Sequence, residues 1–165
     1  MALVMAVCCS KVETPPSTDP GGQGHEGEKN PSVSVGFDYS LMGDHPRLLL
    51  RMEDFDRMQS AIESDSRLSI VHEHILDRSE YLLSEAPLTY KKEGKRLLNV
   101  SRAALERILT MSYMYRMTGQ EKYLAKAEAT LNEVSSFTDW NQSEHYLDVA
   151  EMAFGVAIGL YWLYD

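Results

Sequence analysis

The sequence predicts an all-α fold built of antiparallel helical hairpins. Apolar residues recur at helical spacing from about residue 53 to the last residue, no stretch holds the two-residue alternation of a strand, and Gly, Pro and Asp fall where helices would stop. At 165 residues, with 44% hydrophobic and 25% charged, the composition is that of a soluble globular protein with a polar N-terminal third. The net charge of −9 argues against a nucleic-acid partner, which needs a concentrated basic footprint.

The chain divides into three parts. Residues 1–9 form a short apolar run ending at Cys8 and Cys9, which resembles the end of a bacterial lipoprotein signal peptide, although a basic leading region is missing. One of the two cysteines would then carry the lipid, tethering an exported protein in the periplasm or at the outer membrane. The cysteines are adjacent and no third exists, so no disulfide framework is expected. Residues 10–36, rich in Pro, Gly, Ser and charge and including His25, read as a flexible linker. The folded part is expected over 37–165.

That part opens with "HPRLLL", where Pro46 disfavours helix at His45 and residues 45–50 read as a short extended lead-in. The first helix is expected over 53–63, with Phe55, Met58 and Ile62 on one face. A second starts after Asp65 or Ser66 and ends before Pro87, carrying Leu68, Val71, Ile75, Leu82 and Leu83. For the third, Asn99 or Ser101 is the expected N-cap and Gly119 the stop. A fourth shows Leu124, Ala127, Leu131 and Val134 on one face, and a fifth opens near Ser143 and runs to the last residue. This last helix is apolar on nearly all sides and needs neighbours on all sides. Too few helices precede it to supply them, which leads us to expect a longer native protein.

Chemistry-bearing residues concentrate in "DWNQSEHYLDVAEM", at the mouth of the fifth helix. A helical wheel aligns Glu144, Asp148, Glu151, Gly155, Gly159 and Trp162 in one stripe. Read structurally, the carboxylates complement the helix dipole and the glycines allow close packing. Read functionally, the stretch borders a cleft, with Trp140 as a stacking platform and Asn141, His145 and Glu151 as polar substrate-binding groups. His72 and His74, two apart on a helix, face roughly opposite ways and cannot share a metal. No metal or other cofactor is called for. The basic loop "KKEGKR" over residues 91–96 reads as a solvated connector or an anion contact, and "NVS" and "NQS" at Asn99 and Asn141 match glycosylation sequons.

"HPRLLL", followed by the run from "KRLLNVSRAALERI" to "GLYWLYD", resembles the N-terminal part of the heparinase II/III-like polysaccharide lyases, closest to the heparinase II side. The matching positions are Asp139, Trp140, Asn141, His145, residues 147–152 and residues 162–165. Two departures stand out: an extra residue between Asn141 and His145, and Leu160-Tyr161 where the family has Tyr-Asp. The resemblance implies part of an incomplete α/α toroid, an anionic uronate-containing polysaccharide as substrate, and cleavage by β-elimination. The family's base and acid do not map onto this chain, so catalytic residues are expected beyond residue 165. Two rivals stand beside it: a toroidal glycoside hydrolase using Asp148 or Glu151 as acid or base, and a non-catalytic helical module binding glycan or protein.

Overall fold

The computed structural model describes residues 43–164. The expectations for residues 1–9, including Cys8 and Cys9, for 10–36 and for Asp165 lie outside the described residues. Five helices follow in order: α1 (Met52–Ser64), α2 (Ser66–Ser84), α3 (Leu98–Thr118), α4 (Glu121–Ser135) and α5 (Tyr146–Leu163). The protein is all-α: among the described residues the only β-type pairing is an isolated bridge between Glu93 and Arg96.

Local chemistry sets most helix ends. Asp54 Oδ2 accepts from Arg51 N–H at 2.8 Å and fixes the entry to α1. Asp65 is both the end of α1 and the N-cap of α2, its side chain accepting from Arg67 N–H at 2.9 Å. Gly119 closes α3 with φ of 65°, its N–H returning to Tyr115 O at 2.7 Å. Gly119→Ala should therefore lower stability by about 1 kcal/mol, read as a shifted denaturation midpoint with unchanged slope. Links of one residue between α1 and α2 and two between α3 and α4 oblige each pair to fold back on itself.

α3 is the central element, packing most extensively on α5 and α4 and touching α1 and α2. Its Ala104, Ile108, Met111 and Met114 are buried. One apolar cluster joins Leu97, Ala104 and Ile108 to Leu131, Val134 and Met152. A second joins Leu82, Met111 and Met114 to Tyr123 and Ala127, and a third joins Phe55 to Ile158 and Trp162. The 85–88 connection is pinned from within the bundle: Arg107 donates to Ala86 O at 3.1 Å, and Glu133 accepts from Leu88 N–H at 2.8 Å.

Four expectations are corrected. α3 starts at Leu98 after Leu97, not after Asn99 or Ser101, because a carboxylate from α5 accepts from Leu97 N–H. On α4 Ala127, Leu131 and Val134 are buried and Leu124 is half-buried, but Tyr123 and Thr130, absent from the expected face, are buried with them, the Tyr123 hydroxyl donating to Glu80 on α2 at 2.6 Å. α5 begins at Tyr146, not Ser143, because Asn141 takes a left-handed φ of 67° and starts a turn closed by His145 N–H on Asn141 O. The lead-in does not stay extended: Leu49 has φ of 64°, and Leu50 N–H bonds Leu48 O.

Among the described residues, α5 has neighbours on one side. Met152, Gly155, Ile158, Gly159 and Trp162 are buried, whereas Tyr146, Leu147, Phe154, Leu160, Tyr161 and Tyr164 are exposed. By length and composition α5 passes for a membrane span, yet Asp148 near its start is fully enclosed and its glycine face lies on α3. Its C-terminal end is held by Trp162 Nε1 donating to Leu48 O at 2.9 Å and by Arg116 donating to Trp162 O and Tyr164 O.

Candidate functional site

The turn before α5 is held by carboxylates at both ends. Asp139 Oδ1 accepts from Asn141 N–H at 2.8 Å and from the Tyr90 hydroxyl at 2.8 Å. These bonds hold the Asp139 carboxyl below its ordinary range and push the Tyr90 phenol up. The left-handed conformation at Asn141 suits asparagine, whose short side chain tolerates that region.

Asp148 is the hub beneath the turn. It has no exposed surface, and three donors converge on it: Leu97 N–H at 2.8 Å, Asn141 Nδ2 at 2.6 Å and His145 Nδ1 at 2.8 Å. Burial alone pushes its carboxyl up, but the bonds from Asn141, Leu97 and His145 outweigh it, and the carboxyl lies below its ordinary value of 3.8. An ionised carboxylate only accepts, so the proton on His145 sits at Nδ1 and Nε2 is left as the acceptor when the ring is neutral.

The basic loop 91–96 is solvent-exposed along its length, as expected of a connector, and is also anchored to this turn. Asn141 Nδ2 also donates to Lys95 O at 2.8 Å, and Asn141 Oδ1 accepts from Lys92 Nζ at 3.1 Å. Lys95 pairs with Glu144 at 3.4 Å, and Gly94, with φ of 60°, makes the tight bend. The structure thus joins two stretches that sequence leaves apart: the loop that runs into the start of α3, and the turn at the entry to α5.

Of the expected site residues, Asn141 and His145 meet around Asp148, whereas Trp140 and Glu151 go elsewhere. The Trp140 indole N–H is spent on Val134 O at 2.9 Å, and the half-buried ring borders a shallow surface cleft of about 430 Å³. Phe137, Thr138, Asp139, Gln142 and Val149 complete most of that cleft, and Tyr90 meets Phe137 edge-on at 5.6 Å just behind it. Glu151 takes both its bonds from Arg102 Nε, at 3.0 and 3.2 Å, on the neighbouring helix.

Asn141 is 2% exposed, so its sequon is not presented as a glycosylation acceptor, whereas Asn99 is exposed and bonds Glu93. His72 Nδ1 meets the Tyr113 hydroxyl at 3.0 Å. Among the described residues no three His, Cys, Asp or Glu side chains are grouped to hold a metal ion. The central part of Asp148 was not legible beforehand, since its partners Leu97 and Asn141 are 51 and 7 residues away and only the nearer lay in the motif.

Comparison with known proteins yields no matching family model and no matching curated protein.

Proposed function

We propose that this chain forms the first part of an α/α toroid in a polysaccharide lyase acting on uronate-containing glycans, and that its share of the work is substrate binding. The observation that carries this reading is the cleft at Trp140. An aromatic ring beside Asp139, Gln142 and Thr138 offers a sugar a stacking face and hydrogen-bonding groups together, and the docked loop brings Lys92 and Lys95 close to the same turn. Those lysines attract the acidic partner in a protein that is otherwise negative.

Two further features favour it. The apolar outer face of α5 is what an inner toroid helix turns towards further helices. The acid and base for β-elimination would lie on those later elements, where the reaction needs neutralisation of the uronate carboxylate, removal of the C5 proton and protonation of the leaving oxygen. His145 enters as a positioning group for the turn. The lipid-bearing N-terminus would hold the domain at a membrane in the periplasm.

Of the rivals, the hydrolase loses support, because Asp148 has no exposed surface and Glu151 is engaged by Arg102. The binding module keeps it, since Asp139, Asn141, His145, Asp148 and Glu151 already serve structural bonds. Calorimetric titration with uronate oligosaccharides decides for or against the cleft: Trp140→Ala should weaken binding at least tenfold, about 1.4 kcal/mol, with the denaturation midpoint only modestly lowered. Equal affinity in the two proteins would remove Trp140 from the site. Release of an unsaturated uronate by the native enzyme, seen by ultraviolet absorbance, separates a lyase from both rivals.

A further inference from the structure

The face of α5 turned away from α3 repeats in sevens. Leu147, Phe154 and Tyr161 are seven apart, and Ala150, Ala157 and Tyr164 each follow three residues later; all six are exposed. This is the a and d spacing by which one helix seats against another. Tyr146 and Leu160 flank the seam and are exposed too, and no Asp, Glu, Lys or Arg interrupts it. The acidic residues of α5 lie elsewhere: Asp148 is enclosed, and Glu151 is held by Arg102. A membrane surface is a poor match, because an interfacial helix carries Lys or Arg along its polar flanks and α5 has neither.

Side-chain size decides what fits the seam. In a parallel pair like meets like, so Phe154 would press on Phe154 while Ala157 faced Ala157 across a gap. Turned end for end about a point between Gly155 and Val156, the seam matches a copy of itself. Phe154 then faces the partner's Ala157, Tyr161 faces the partner's Ala150, and Leu147 faces the partner's Tyr164. The same turn sets the positive end of each helix beside the negative end of the other. The leucines and aromatic residues of this face are between 37% and 78% exposed. At about 200 Å² for a whole aromatic side chain, its four rings alone bare on the order of 450 Å² per copy. With the leucines and alanines added, two copies would bury roughly 1,200 Å², which reaches the range of specific, stable pairs.

We propose that a second copy of this chain covers this face, the two α5 helices pairing antiparallel about a two-fold axis. The pairing shares no residue with the Trp140 cleft and does not rest on the glycan reading. The further helices of the lyase reading would take the partner's place, so the pairing is a property of the 165-residue chain. Sedimentation velocity on that chain from about 1 to 200 µM should show the mass rise from 18.7 kDa to twice that value, with a Kd on the order of 10 µM. Phe154→Glu puts a charge in the middle of the seam and should weaken association at least about tenfold, with far-ultraviolet dichroism unchanged. Leu147→Glu, at the edge of the seam, makes the same test should the first variant not fold. In a mixture of labelled and unlabelled protein, isotope-filtered spectra should show the Phe154 ring against the partner's Ala157 methyl. A mass that stays at 18.7 kDa overturns the proposal, whatever else covers the face. So does association that the folded variants retain undiminished, which would place the contact elsewhere, and so does contact of Phe154 with the partner's Phe154, which would make the pair parallel.

Discussion

Asp148→Ala should lower stability by about 3–5 kcal/mol, the largest loss we expect from a single substitution. The change removes one buried carboxylate and strands three donors: Leu97 N–H at the start of α3, Asn141 Nδ2 in the turn and the His145 ring at the entry to α5. Asp148→Asn keeps the shape and one acceptor oxygen, so it should cost less, but its NH₂ group faces a donor where the carboxylate had an oxygen. Urea denaturation of the three proteins checks the order: parent, then asparagine, then alanine. Because the hub joins the start of α3 to the turn before α5, amide exchange at Leu97 and throughout residues 139–148 should rise together in the alanine variant.

The same residue sets part of the acid response. Its folded carboxyl lies below the ordinary value of 3.8, so protons bind the unfolded chain first as pH falls. The stabilisation it gives is fully present above the ordinary carboxylate range and is lost as pH drops through its lowered folded value. Denaturation followed from pH 7 downward should show the gap between parent and Asp148→Ala closing below about pH 4. A gap that stays constant to strongly acid pH would mean that the ionised form is not what the three donors hold. Asp54, Asp65 and Asp139 are also lowered by their hydrogen bonds, but they face solvent, where screening leaves them little weight.

Gly155→Ala and Gly159→Ala should each cost about 1–3 kcal/mol, although alanine is the better helix former by about 1 kcal/mol. A Cβ at Gly155 would come within 2.9 Å of Leu105 Cα, which is backbone and cannot swing aside. At Gly159 it would run into Ile108 Cγ2, a methyl on a stiff β-branched side chain. Either collision pushes α5 off α3, the most extensive helix contact in the protein. Thermal melts of the single and double variants test this, and a net gain from either alanine would show that the helices do not approach as closely as described.

Helix existence and type were legible because each element carries its own pattern: the Phe55, Met58 and Ile62 spacing, the Asp65 cap, the Gly119 stop. Starts fixed from a distance were not. Nothing near Leu97 announces that α3 begins there, since the group accepting its N–H belongs to α5. The Ser143 start failed because Asn141 turns left-handed, which residue type permits but does not require. At the candidate site, sequence picked out Trp140, Asn141 and His145 by type and crowding. It missed that the polar crowd serves first to join helices, a role that depends on the Lys92 and Lys95 loop folding back 46 to 49 residues away. Tyr123 was left out of the expected buried face of α4 for a similar reason, because the Glu80 its hydroxyl reaches lies on another helix.

The proposed glycan-binding cleft before α5 has a residue-level signature. A uronate tetrasaccharide titrated into the labelled 165-residue protein, followed by amide and indole resonances, tests it most directly. The account predicts saturable shifts gathered at Phe137, Thr138, Asp139, Gln142 and Val149 and at the Trp140 indole, with Trp162 unmoved. Shifts absent from that cleft, or scattered over the surface and abolished by salt, would contradict it and leave the Asp148 hub as a purely structural junction.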